Sequence, residues 1–338
     1  MNEIISAPAL SVVIIGRNEG ARLIRCIESV KAMRFDGEVE LIYVDSDSTD
    51  GSLENATALG ARVIVVKPDR PSAALGRNAG WRVAAAPHVL FLDGDTILHP
   101  DFVAQATPSF ANPKLAVVCG QRRELHPEAS VYNRVLDLDW INPPGSAEFC
   151  GGDALMRRSV LEEVGGYDET LIAGEEPEMC RRMRISGYEI LVLDVPMTGH
   201  DLAMTRWSQY WRRAFRTGHA YAEVADRFRG TELPLWEKEV RRTAIHAALM
   251  FGFFTLSVIA SLALRSSLPL LAAFVTFLLL ALRTAAKARW KCSDPVTRLL
   301  YGIHSHLQHI PILCGQISFW RDKRAGRRQR LIEYKETT

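Results

Sequence analysis

The chain has 338 residues, too many for one small domain and ample for a sizeable core. Its 41 Lys+Arg nearly balance 39 Asp+Glu, and the net +2 hides a strongly basic end, Arg321 to Arg330. Six cysteines form no Cys-x-x-Cys pair and none has a histidine at zinc-finger spacing, which weighs against metal-finger and disulfide frameworks and fits reduced thiols in a cytoplasmic setting.

Met1 to Ile5 has neither a basic start nor a long apolar stretch, so no signal peptide is expected. Ser11 to Ile15 is an unbroken β-branched run, the pattern of a strand buried on both faces. Gly16-Arg17-Asn18-Glu19-Gly20 breaks it, and Ala21 to Met33 reads as an amphipathic helix with Leu23, Ile27 and Val30 on one face. Glu40 to Val44 is the next strand, Asp50-Gly51-Ser52 opens a helix through Leu59, and Arg62 to Val66 is a third strand. Ala73 to Ala86 reads as helix and Val89 to Leu92 as a fourth strand. This alternation predicts an α/β fold with a mostly parallel sheet flanked by helices. Such sheets bind ligands beyond the carboxyl ends of their strands. Neither Gly-x-Gly-x-x-Gly after the first strand nor a P-loop is present, which disfavours a dinucleotide or P-loop site.

Arg206 to Arg229 mixes Trp207, Tyr210, Trp211 and Phe215 with Arg212, Arg213 and Arg216, which suits a membrane-surface helix, a helix packed on the sheet domain, or both. Thr243 to Leu264 holds no ionisable side chain but His246, long enough to span a bilayer. Leu268 to Leu282 adds a shorter apolar run after Arg265-Ser266-Ser267, so the two read as a helical hairpin. Arg241 and Arg242 before it, and Arg283, Lys287, Arg289 and Lys291 after it, place both ends in the cytoplasm. Leu299 to Trp320 carries His304, His306, His309 and Pro311 and reads as interfacial or re-entrant. The basic tail then faces anionic lipid, and nucleic acid is not an expected partner. The expected parts are 1–202, a catalytic domain; 203–240, interfacial linker helices; 241–292, the hairpin; and 293–338, the interfacial segment and tail.

The chemistry-bearing stretches lie at strand ends. Asp93-Gly94-Asp95 closes the run Val89-Leu90-Phe91-Leu92 with two hard oxygen ligands, suited to Mg²⁺ or Mn²⁺ on a diphosphate. Arg77 lies in the preceding helix and can meet a phosphate or the carboxylates themselves. Glu175, Glu176 and Glu178 crowd the start of a helix running from Met179 to Ser186. Charges this close raise at least one pKa, as a general base requires. His200 follows the strand Ile190 to Leu193 as a further candidate ligand.

Taken together, Ser11 to Glu19, Val44 to Ser52, Gly76 to Gly80, Phe91 to Asp95, Cys150 to Val160, Val164 to Asp168 and Gly174-Glu175-Glu176 resemble the family 2 inverting glycosyltransferases of GT-A fold. The resemblance covers residues 9–202. It implies a nucleotide-sugar site drawing on Asn18, Glu19, Asp45, Arg77, Asp93, Gly152 and Asp153, with Asp45 toward the base and Asp93 toward the ribose. It implies a metal held by Asp95 with Asp93 and His200, and a catalytic base at Glu176 or Glu175. Glu175-Glu176 departs from the family's usual Glu-Asp, and Glu176 stands at the Asp position. Gln209-Tyr210-Trp211-Arg212-Arg213 resembles the Gln-x-x-Arg-Trp of processive synthases, which adds Gln209 and Arg212 to the sugar site, but the Trp is replaced. One hairpin cannot build a polymer channel, so single transfer is expected.

The sequence therefore points to a glycosyltransferase at the inner membrane, its catalytic domain facing the cytoplasm. It would pass one sugar from a nucleotide sugar, a UDP-sugar first, to a lipid-linked acceptor in polysaccharide or glycolipid assembly. A polyprenyl-phosphate acceptor is the alternative, and a nucleotidyltransferase or a non-catalytic membrane scaffold are readings of another class.

Overall fold

The computed structural model describes residues 8–67 and 69–327. Met1 to Ile5 and the tail from Arg328 onward lie outside the described residues. The described residues divide into two compact units: one within 8–125 and 140–202, the other within 126–139 and 203–327.

The first unit is built on one sheet. Its N-terminal half runs β1 (Leu10–Gly16), α1 (Ala21–Lys31), β2 (Val39–Asp45), α2 (Ser52–Ala58), β3 (Arg62–Val65), α3 (Ala73–Trp81) and β4 (His88–Asp93). After these come β5 (Thr96–Leu98), α4 (Phe102–Ala106) and β6 (Leu115–Glu124), and then α5 (Val131–Trp140), most of which falls in the second unit. The rest of the first unit is β7 (Gly145–Ala147), β8 (Ala154–Arg157), α6 (Arg158–Val164), α7 (Glu175–Ile185) and β9 (Glu189–His200). The strand order is β3-β2-β1-β4-β8-β6-β9-β5, with β7 also on β9. The half from β3 to β4 is parallel, as its apolar runs predict. Beyond β4 the sheet is mixed, because β8 enters antiparallel between β4 and β6. Val12, Val13 and Ile14 on β1, and Leu90, Phe91 and Leu92 on β4, are fully buried. Each such side chain contributes about 1.5–3 kcal/mol through burial.

Several boundaries differ from expectation. The helix read as Ala73 to Ala86 ends at Trp81, where the backbone tightens into bonds from Val83 N to Gly80 O and Ala84 N to Trp81 O. The helix read from Met179 begins four residues earlier, so Glu175, Glu176 and Glu178 stand in its first turn, where carboxylates complement the helix dipole. The strand read as Ile190 to Leu193 continues to His200.

The second unit is helical. It contains α8 (Trp207–Arg227), α9 (Glu237–Leu264), α10 (Leu268–Lys287), α11 (Pro295–Leu307) and α12 (His309–Arg324). α9 and α10 are long and apolar enough to cross a membrane, and only 11% and 17% of their apolar windows are buried. They are consistent with the expected hairpin, joined at Arg265–Ser267 with Leu270 N donating to Ser261 Oγ at 3.3 Å. The segment from Leu299 to Trp320 falls on two helices, α11 and α12. Pro311 has no N–H to bond the Leu307 carbonyl, and the ladder of α11 breaks near Gln308. Its histidines are packed inside the unit: His304 bonds the Tyr210 hydroxyl at 2.7 Å and Asp139 at 3.1 Å.

Candidate active site

Two parallel neighbours of β1 end in carboxylates: β2 at Asp45 and β4 at Asp93. At the end of β4 the chain turns at once into β5, with Gly94 N donating to the Ile15 carbonyl at 2.8 Å. That turn leaves Asp93 half-buried and Asp95 buried. β9 then delivers His200. Its ladder with β5 pairs Thr96 with His200, and Asp201 N donates to the Asp95 carbonyl. His200 Nε2 therefore lies 3.4 Å from Asp95 Oδ1. Donor atoms of Asp93, Asp95 and His200 all fall within 4.8 Å of one another, and two carboxylates with one imidazole can hold a divalent cation.

Arg77 organises the opposite side. It is 2% exposed and rises from α3, which lies close on the sheet because Gly80 has no Cβ; one there would stand 2.3 Å from a Val13 methyl. Its Nη2 donates to Asp93 Oδ1 at 2.8 Å, and its Nη1 lies 3.0 Å from Glu175 Oε1 and 2.9 Å from Glu176 Oε1. One guanidinium thus joins the cluster of Asp93, Asp95 and His200 to the start of α7. Burial opposes its charge, but Glu176 and Asp93 hold its pKa well above the ordinary value. Gly152 faces this junction. A Cβ there would meet Arg77 Nη2 at 2.5 Å and Asp93 Oδ2 at 2.9 Å, so only glycine lets the β7–β8 connection approach.

Asp153 is 3% exposed and works behind Asp93. It accepts from Asp93 N at 3.0 Å and Thr198 Oγ1 at 2.8 Å, and pairs with Arg122 Nη2 at 2.8 Å. Burial raises its pKa against the pull of Arg122. Burial, then the charge of Glu175, raises Glu176 to about 7, although Arg77 opposes both. Glu176 keeps 15% side-chain exposure and Glu175 only 6%. Glu176 is therefore the more exposed of the two.

The remaining expected residues sit after β1, at the end of β2 and on α8. Asp45 is fully buried, its oxygens accepting from the Tyr43 hydroxyl and from Ser48 N, both at 2.7 Å. Asn18 Oδ1 accepts from Thr49 N at 2.8 Å, and Asn18 N donates to Ser48 Oγ, so the loops after β1 and β2 are tied together. Glu19 pairs with Arg22 at 2.9 Å. Gln209 and Arg212 belong to the second unit. Gln209 Oε1 accepts from Thr205 N and Arg206 N and caps α8, while Arg212 is exposed. Sequence reasoning missed Arg122, Thr198 and Trp140. Arg122 and Thr198 are partners across the β6–β9 ladder, and the Trp140 ring lies 5.0 Å from His200 and 5.5 Å from the Arg122 guanidinium.

The glycosyl transferase family 2 model matches residues 11–165. That match spans a little under half of the chain and supports a family 2 glycosyltransferase domain there. The matched segment holds Asn18, Glu19, Asp45, Arg77, Asp93, Asp95, Gly152 and Asp153, while Glu175, Glu176 and His200 lie beyond it. A pre-mycofactocin glycosyltransferase of Mycobacterium tuberculosis is 26% identical over 240 residues, 67% of this chain and 49% of that protein. The chain thus spans about half the length of that relative. The O-antigen chain rhamnosyltransferase WbaN of Salmonella anatum is 27% identical over 198 residues, 54% of this chain and 62% of that one. Among solved structures, the mannosyltransferase PcManGT from Pyrobaculum calidifontis, in complex with GDP-Man and Mn²⁺, is similar with a TM-score of 0.64. It is 18% identical, and the match covers 94% of this chain and 89% of that one. That likeness concerns the fold: the domain has the GT-A architecture that its sequence resemblance implies.

Proposed function

We infer that the protein is an inverting glycosyltransferase that moves one sugar from a nucleotide sugar, first a UDP-sugar, to a lipid-linked acceptor in polysaccharide or glycolipid assembly. The observation that carries this reading is the meeting of Asp93, Asp95 and His200 with an arginine-held glutamate pair beyond the carboxyl end of β4. The GDP-Man and Mn²⁺ of PcManGT support a nucleotide-sugar donor and a metal, and WbaN supports a polysaccharide role. Asp93, Asp95 and His200 would hold Mg²⁺ or Mn²⁺, which neutralises the diphosphate of the departing nucleotide.

Glu176 takes the proton of the acceptor hydroxyl. Arg77 keeps its carboxylate in place. The acceptor oxygen then bonds the anomeric carbon as the bond to the diphosphate oxygen breaks on the opposite side, and the configuration inverts. A base whose pKa is near 7 suits this proton transfer at neutral pH. The loops held by Asn18 and Asp45 form the nucleoside side, with Asp93 toward the ribose. α9 and α10 anchor the chain in the inner membrane with both ends in the cytoplasm, where a lipid-linked acceptor is met.

The test is nucleotide release from a panel of UDP-, GDP- and dTDP-sugars with Mn²⁺. One donor class is expected to react, with release lost on chelation and in Asp95→Ala. Undiminished release by Asp95→Ala would remove the metal-site reading, and no release from any donor would favour a scaffold.

A further inference from the structure

α9 carries a second feature that the transfer reaction does not use. A cleft of about 400 Å³ is lined by Lys238, Arg241, Arg242, Ile245, His246 and Leu249. These positions fall three or four apart, so they form one stripe along the helix. The stripe is graded. Three cations occupy its first turn and a half, and aliphatic side chains follow toward the exposed apolar length of α9. Lys238, Arg241 and Arg242 are exposed, as are Ile245 and Leu249. Glu237 and Glu239 share the same turns but do not line the cleft. His246 also lines the cleft; its Nε2 lies 3.0 Å from His306 Nδ1, and its ring is tilted against that of His309 with centroids 4.4 Å apart.

We propose that this cleft binds the phosphate headgroup of an anionic membrane lipid, with the start of its acyl chains along Ile245 and Leu249. The grading carries the inference. A soluble anion would use the three cations and leave Ile245 and Leu249 wet, whereas a phospholipid presents a phosphate and a hydrocarbon in the same order. The cations also stand just before the apolar window, the level at which headgroups meet a spanning helix. The proposal rests on the membrane placement above, and its test is independent of insertion.

The full-length chain in a zwitterionic detergent is titrated with dihexanoyl phosphatidic acid, dihexanoyl phosphatidylcholine and inorganic phosphate, and binding is followed by thermophoresis. Saturable binding of phosphatidic acid is expected, with phosphatidylcholine and inorganic phosphate at least tenfold weaker. The triple variant Lys238→Gln, Arg241→Gln, Arg242→Gln is expected to weaken phosphatidic acid at least tenfold. The charge-matched Arg283→Gln, Lys287→Gln, Arg289→Gln is expected to leave it unchanged. If the first triple does not fold, Arg241→Gln and Arg242→Gln singly carry the same test, each with a loss of several-fold. Parent-like affinity in these variants, equal loss in the control, or inorganic phosphate binding as tightly as the lipid each overturns the site. Carbonate extraction of the parent from membranes tests anchoring separately.

Discussion

The two units carry their departures from ordinary globular packing in opposite places. In the first, charge is inside: Arg77, Asp153 and Glu175 are 2%, 3% and 4% exposed. In the second, apolar bulk is outside: Leu249, Phe251 and Leu262 are 69%, 73% and 74% exposed. Removing an ion from water costs several kcal/mol even after relaxation. An exposed Leu or Phe loses about 1.5–3 kcal/mol relative to burial. Folding alone accounts for neither. Under the proposed function each is completed from outside the chain, the acidic cluster by a cation and a diphosphate, the apolar helices by a bilayer.

The largest test of the buried-charge side is Glu176→Gln. Transfer to a hydroxyl acceptor is expected to fall by about 10²–10⁴-fold, read as product formation, with donor KM little changed. Retained activity there and in Glu175→Gln would mean that no base is needed, as with a phosphate acceptor. Next is Arg77→Met, which strands Asp93, Glu175 and Glu176 together. Removing one partner from a buried pair costs about 3–5 kcal/mol, so a clear fall in melting temperature is expected. An unchanged melting temperature would show that the carboxylates tolerate one another without the guanidinium.

Legibility divides along the same line. β1, β2 and β4 were readable because a strand buried on both faces is an unbroken apolar run, and Asp93-Gly94-Asp95 was readable because it ends one. The hairpin was readable because almost no charge interrupts it. What required coordinates is what depends on register. His200 reaches Asp95 only through the β5–β9 ladder, and Arg122 reaches Asp153 beside Thr198 only through β6–β9. No local spacing encodes either. The start of α7 was misplaced because Glu175, Glu176 and Glu178 read as a segment before a helix, although they stand in its first turn. The tertiary partners of the histidines in Leu299 to Trp320, Tyr210 and Asp139 among them, are distant in sequence and were not legible either.

A smaller change probes the exposed side. Leu256 is 65% exposed within α9, and Leu256→Arg would place a charge in the apolar window. At the centre of a spanning helix this costs about 2.5–3.5 kcal/mol. The variant is expected to shift from the membrane to the soluble or degraded fraction after carbonate extraction. A parent chain that is itself released by carbonate would remove the bilayer from the comparison and leave α9 and α10 as a surface awaiting protein.

The last prediction joins stability to activity through one proton. Glu176 has a pKa of about 7 in the folded chain, raised from 4.5 chiefly by burial and then by Glu175. Between those values the folded state holds a proton that the unfolded chain has already released. Stability therefore falls as pH rises from about 4.5 to 7, because the native state binds more protons there than the unfolded one. The catalytic limb has the opposite sign: a base must be ionised, so kcat/KM rises with pH and levels off above about 7. Glu176→Gln is expected to flatten both profiles at once, read as melting temperature and as residual turnover between pH 5 and 8. If Glu175→Gln flattens them and Glu176→Gln does not, the proton belongs to the inner glutamate, and side-chain exposure was the wrong guide to which of the two meets the acceptor.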